Sequence, residues 1–275
     1  MKLCADCISG RRLPGTPKGD MIKVGSLDCY YARAPEGGRA STADKNVILL
    51  LTDIFGLPLG NPKIMADSFA IETGLDVYVP DMFAGKYPIR EEDLRPYDHY
   101  EVGVRPPLWK NLGYAWQVVK SLPNLLTTSS ATQVTQRILE VIEILKKEKG
   151  LEKFGAVGYC FGGQMIAELT PHFVLSSAVI CHPGDFSIDL VNEMDFPVSW
   201  VVCEEDFAMP PEKAAEAEKL FAARSGDDRV DYEFKRYMGT RHGFACWPEL
   251  SVPVVREAFE DASEQTVQWF KKTLC

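Results

Sequence analysis

The chain reads as an α/β protein, one domain on a mostly parallel central sheet with helices on both faces. Three observations predict this. Continuous apolar runs, the mark of strands buried on both faces, recur at residues 47–51, 77–79, 154–159, 178–181 and 198–203. Helical patterns fall between them, and that alternation builds βαβ units. With 46% hydrophobic and 25% charged residues, a 275-residue chain can bury a sizeable core as an ordinary soluble domain.

Residues 1–20, rich in Gly, Pro and charge, read as a lead-in to a domain spanning 21–275. An early strand over 27–34 ends at Pro35 and Gly37-Gly38. After the 47–51 strand, Ile64, Phe69 and Ile71 mark a helix that stops before Gly74. Residues 82–130 break the rhythm, with Tyr87, Tyr97, Tyr100, Trp109, Tyr114 and Trp116 among several prolines and little periodicity. An insert this long reads either as a lid or binding segment or as a surface elaboration. Val134, Ile138, Ile142 and Leu145 then predict a helix over 131–149, with Ser130 as N-cap and Gly150 just past its end. Helices over 211–224 and 254–272 complete the set, and the alternating 230–237 run predicts an edge strand.

Thirty basic and 39 acidic residues give a net charge of −9, which disfavours nucleic acid and anionic membranes as partners. No run approaches the length of a membrane span, and the N-terminus lacks the apolar core of a secretory signal. A cytoplasmic setting with free thiols is therefore expected for the eight cysteines. Cys4-x-x-Cys7 lacks the second ligand pair that a structural zinc site needs, so it reads as two incidental thiols.

The segment Gly158-Tyr159-Cys160-Phe161-Gly162 is a nucleophile elbow with Cys in the nucleophile position. An elbow needs Gly two before and two after because the backbones pass too close for a Cβ. Eight cysteines and 21 glycines in 275 residues give about 0.05 chance occurrences of it. The expected setting is present, an apolar strand before and a helix-compatible run over 164–169 after.

An elbow predicts its partners in chain order, an acid after a later strand and then a His. Of the four histidines only His242 follows the last strand. Asp206, with Glu205 as the alternative, follows the 198–203 strand. His182 ends a strand and is a candidate pocket residue; His172 and His99 carry less. A thiol with an ordinary pKa near 8.5 is mostly protonated at neutral pH, so an imidazole must accept its proton. The acid fixes that imidazole's tautomer, and the backbone N–H groups of Phe161 and Ile54 are the expected oxyanion donors.

Gly-Tyr-Cys-Phe-Gly-Gly at 158–163, Thr52-Asp53-Ile54-Phe55-Gly56, Pro80-Asp81-Met82-Phe83 and Arg241-His242-Gly243-Phe244 together resemble the dienelactone hydrolase family. Gly15-Thr16-Pro17-Lys18-Gly19 is similar to a segment of its fungal members. The resemblance runs from about residue 15 to the last helix. It implies an α/β-hydrolase fold, a Cys160-His242-Asp206 triad, a small-molecule ester or lactone as substrate with water, and no metal or organic cofactor. It also gives Asp53 the place of a Glu that engages the resting thiol in bacterial members. Gly85, beside Lys86, and Cys246 stand where those members carry arginines for a substrate carboxylate. Tyr159, Lys86, Asp53 and His182 are accordingly the candidate thiol-modulating or pocket residues. Two other readings stay open, a thioesterase and a non-catalytic redox sensor on a hydrolase scaffold.

Overall fold

The computed structural model describes residues 12–35, 45–97, 101–127 and 129–275. Cys4, Cys7, Gly37-Gly38, His99 and Tyr100 lie outside the described residues. Eight strands follow one another as β1 Asp20–Val24, β2 Leu27–Ala32, β3 Asn46–Leu51, β4 Asp76–Pro80, β5 Lys153–Tyr159, β6 Ser177–Cys181, β7 Val198–Glu205 and β8 Tyr232–Arg241. They form one sheet in the order β1-β2-β4-β3-β5-β6-β7-β8. Only the β1–β2 and β2–β4 pairs are antiparallel; the other five are parallel. β8 is the edge strand expected from its alternation. β1 begins where the lead-in was expected to end. Of its residues only Val24 is buried, so pairing with β2, rather than its own apolar content, makes it a strand.

The main helices are α1 Asn61–Thr73, α2 Glu91–Leu94, α3 Leu108–Thr127, α4 Ala131–Lys149, α5 Phe161–Leu169, α6 Pro211–Ala222 and α7 Pro253–Thr273. β3 shows why the sheet is covered twice. All six of its residues are buried, and successive side chains enter opposite cores. Val47, Leu49 and Leu51 pack with α4, α5 and α6. Ile48 and Leu50 pack with α1 and α7. Each such side chain contributes about 1.5–3 kcal/mol by leaving water.

α4 follows its sequence closely. Ser130 accepts from Gln133 N, and Gly150 takes φ 66° with its N–H on Lys146 O. The predicted apolar positions are all buried, and Lys146, Lys147 and Lys149 lie in the last turn, where cations suit the helix dipole. The insert departs from expectation, because residues 108–127 form a helix despite Pro123 inside it. No described helix is long and apolar enough to cross a membrane.

From β3 the chain crosses through α1 to β4 on one side, and β5 later joins β3 on the other. Connections leaving in opposite directions open a crevice at the strands' carboxyl ends, where open α/β sheets bind ligands. Asp53 and Ile54 leave β3 there, and Cys160 leaves β5.

Candidate active site

Cys160 caps α5 with φ 51° and ψ −113°, a backbone conformation that a residue with a Cβ adopts only under constraint. Three hydrogen bonds hold it there. Its N–H donates to Cys181 O (3.1 Å), while its carbonyl accepts from Gly184 N (2.7 Å) and Gln164 N (3.1 Å). A Cβ on Gly158 would stand 2.3 Å from Gly162 O, and one on Gly162 would stand 2.1 Å from Leu51 O. Both positions exclude any side chain. Phe161 opens α5, so its N–H belongs to the first turn, whose donors have no partner within the helix.

Asp206 and His242 meet because β7 and β8 are neighbours ending at one level. Glu205 pairs with Arg241 across a register shift, and His242 N donates to Glu205 O (3.1 Å). His242 Nδ1 lies 2.9 and 3.0 Å from the Asp206 carboxylate oxygens. Asp206 also accepts from Ala208 N (2.8 Å), Met209 N (3.1 Å) and the Cys203 thiol (3.2 Å). Burial works against its charge, but the His242 bond, the His242 charge and the two backbone donors hold its pKa down at about 2. For His242, burial works against the cation. Its interactions with Cys160 and Asp206 outweigh that and raise the pKa to about 10. His242 Nε2 is buried without a hydrogen-bond partner. The ring lies 4.5 Å from that of the exposed Phe207 and 5.1 Å from that of His182.

Asp53 is buried, accepts from Phe55 N (3.0 Å), and receives the Cys246 thiol at 3.5 Å. Burial dominates over these donors and raises its pKa to about 6. The remaining pocket candidates fall elsewhere. Lys86 is exposed and absent from the cavity wall, its carbonyl accepting from Ser129 Oγ (3.3 Å). Tyr159 points into the core on α7's side of the sheet, and burial keeps its hydroxyl protonated. His182 is fully buried beneath His242, between it and Tyr159, and burial lowers its pKa to about 3. It accepts from Ala245 N at Nε2 (3.3 Å), so it supports the His242 loop rather than lining the pocket.

Asp53, Ile54, Cys160, Phe161, Asp206 and His242 share the wall of one cavity of about 930 Å³. Sequence reasoning missed Phe207 and Trp247 as parts of that wall, while the insert, read as a binding segment or a surface elaboration, contributes the α3 face. It also missed the clamp that fixes the insert over it. There Arg241 pairs with Glu205 (3.1 Å) and donates to Glu101 O (3.1 Å), and Glu205 accepts from Gly103 N (2.7 Å). Only the adjacency of Glu205 to the predicted acid hinted at it.

A model of the dienelactone hydrolase family matches residues 35–274. The hydrolase pyvD of Aspergillus violaceofuscus is 30% identical, with 98% of this chain and 96% of that protein aligned. A carboxymethylenebutenolidase homolog of Rattus norvegicus is 25% identical over 97% of this chain and 96% of its own length. Among solved structures, a dienelactone hydrolase-like promiscuous phosphotriesterase from metagenomic libraries superposes with a TM-score of 0.61 at 15% identity. That match covers 94% of this chain and 99% of the other.

Proposed function

The chain belongs to the dienelactone hydrolase family, and on that premise we propose that it hydrolyses small-molecule esters or lactones through an acyl–Cys160 intermediate. The observation that carries this reading is the polarity of the His242 ring. Nδ1 is held by Asp206, while Cys160, on the same cavity wall, interacts with the ring strongly enough to raise its pKa. A ring anchored at one nitrogen can hold the thiol's proton at the other, as its raised pKa favours.

His242 Nε2 accepts the Cys160 proton, and the sulfur attacks the ester carbonyl carbon. A C–S bond forms, and the carbonyl π pair moves to oxygen. The N–H groups of Phe161 and Ile54 receive that charge. On collapse the C–O bond to the alcohol breaks, and imidazolium returns its proton to the leaving oxygen. In a lactone the alcohol stays tethered to the acyl group. Water then attacks the thioester carbon, giving its proton to His242. The C–S bond breaks, and the acid departs with the thiol restored. Asp206 stays ionised throughout, as a pKa near 2 requires.

Acid quenching during turnover of phenyl acetate, followed by intact-mass measurement, tests the reading. A gain of about 42 Da, an acetyl group in place of the thiol hydrogen, on wild type and absent from Cys160→Ala is the expected result. Full esterase activity in Cys160→Ala would overturn it.

A further inference from the structure

We infer that this cavity takes uncharged aromatic esters or lactones larger than a single ring, and that the inner face of α3 sets the size it accepts. The inference rests on the hydrolase reading above and deepens it.

The wall has a distinct chemistry. Six aromatic residues, Phe55, Tyr97, Tyr114, Phe161, Phe207 and Trp247, surround the space, with Ile89, Leu94 and Val118 filling between them. Offset and edge-on ring packing favours an aromatic guest over an aliphatic one of equal area. At about 930 Å³ the cavity stands at the upper end of sites that enclose drug-sized ligands. A single phenyl ester leaves most of it to water.

Charge argues against an anionic guest. Asp53, Glu204, Glu205 and Asp206 all contribute to the wall, against Arg241 and His242, the latter already paired with Asp206, as the cations among the described wall residues. That guanidinium is committed, Nη2 to Glu205 and Nη1 to Glu101 O. A substrate carboxylate would lose its hydration and find no uncommitted cation among the described wall residues. The remaining polar groups, Asn111, Ser121 and Gln164, are neutral, and suit hydroxyl or keto substituents.

One helix supplies the outer wall. Asn111, Tyr114, Val118 and Ser121 are spaced by three, four and three, a single stripe of α3. Two contacts fix its distance from the elbow. α3 passes so close to Tyr97 that a Cβ on Gly113 would lie 2.0 Å from that ring. Ahead of the helix, Gly103 N is bound by Glu205.

The test compares phenyl acetate, 2-naphthyl acetate and the anionic 6-acetoxy-2-naphthoate on wild type and Val118→Trp. Naphthyl acetate is expected to exceed phenyl acetate at least tenfold in kcat/KM, and the anion at least a hundredfold. Equal or better turnover of the anion overturns the charge argument while leaving the hydrolase reading intact. Val118→Trp, checked for folding by its melting temperature, should cut the naphthyl-to-phenyl ratio at least tenfold. An unchanged ratio overturns the role given to α3. Turnover of none of the three esters counts against the hydrolase reading instead. Calorimetry with 2-acetylnaphthalene and 2-naphthoate then decides the inference alone. At least tenfold tighter binding of the neutral ketone is expected, and the reverse order overturns it.

Discussion

The two carboxylate oxygens of Asp206 stand almost equidistant from His242 Nδ1, at 2.9 and 3.0 Å. Neither oxygen is spare, because the same carboxylate takes the N–H groups of Ala208 and Met209 and the Cys203 thiol. A carboxylate so occupied cannot rotate, and so it sets the plane of the ring that it holds.

Asp206→Asn is therefore expected to lower kcat/KM for an aryl acetate on the order of 10³- to 10⁴-fold, since an amide can present its N–H to the ring and favour the wrong tautomer. The amide oxygen still accepts from Ala208 and Met209, so the melting temperature should move by only a few degrees. A paired esterase assay and thermal melt check both halves.

Asp53 makes stability depend on pH. Its folded pKa of about 6 lies above the ordinary 3.8, so the native state holds this proton more tightly than the unfolded chain. The resulting stabilisation is complete below pH 3.8 and is lost as pH rises through 6. Asp53→Asn should remove that loss. Relative to wild type, the variant should gain up to about 3 kcal/mol between pH 4 and pH 8. Urea titrations at the two pH values measure it, and an equal difference at both would contradict the assignment.

The elbow glycines should differ sharply in tolerance. Gly162→Ala drives a Cβ to 2.1 Å from the backbone of Leu51, and the cost expected is more than about 3 kcal/mol. At Gly163 the nearest atoms are those of Pro183 at 3.1 Å, and alanine there should cost about 1–2 kcal/mol. Denaturant unfolding of the two variants gives the order directly.

Glu205→Gln weakens the clamp on the insert by removing the charge that Arg241 pairs with. The partly exposed ion pair contributes at most about 1 kcal/mol to global stability. Function should feel it more, as a several-fold rise in KM for naphthyl acetate at little changed kcat, with faster proteolysis between residues 101 and 107. Unaltered KM and proteolysis would show that Gly103 is held by something else.

The parts legible in the sequence are those where local chemistry and tertiary demand agree. β3 is apolar from Val47 to Leu51 because both its faces are covered, and α4 carries its cap, its stripe and its terminal glycine in one segment. The elbow announces itself because steric exclusion at Gly158 and Gly162 leaves no alternative residue. α3 was illegible for the opposite reason. Its inner stripe faces a cavity and mixes Asn and Ser with Tyr and Val, while Leu108, Trp109, Leu112 and Trp116 on its outer side are exposed. No polar-out, apolar-in period survives. β1 is a strand only by virtue of its partner. His182 looked like a pocket residue from its place at a strand end, but the turn after β6, with φ 33° at His182, buries it.

Gly155 in β5 lies against the end of the chain, where a Cβ would meet Leu274 at 2.6 Å and Phe270 at 2.9 Å. Asn46, the first residue of β3, donates to Leu274 O at 2.6 Å. The strands that lead to Cys160 and to the Asp53–Ile54 loop are thus closed by the final turn of α7. Any change that frays this last helical turn therefore reaches the turn at Cys160 through two strands, without touching the cavity wall.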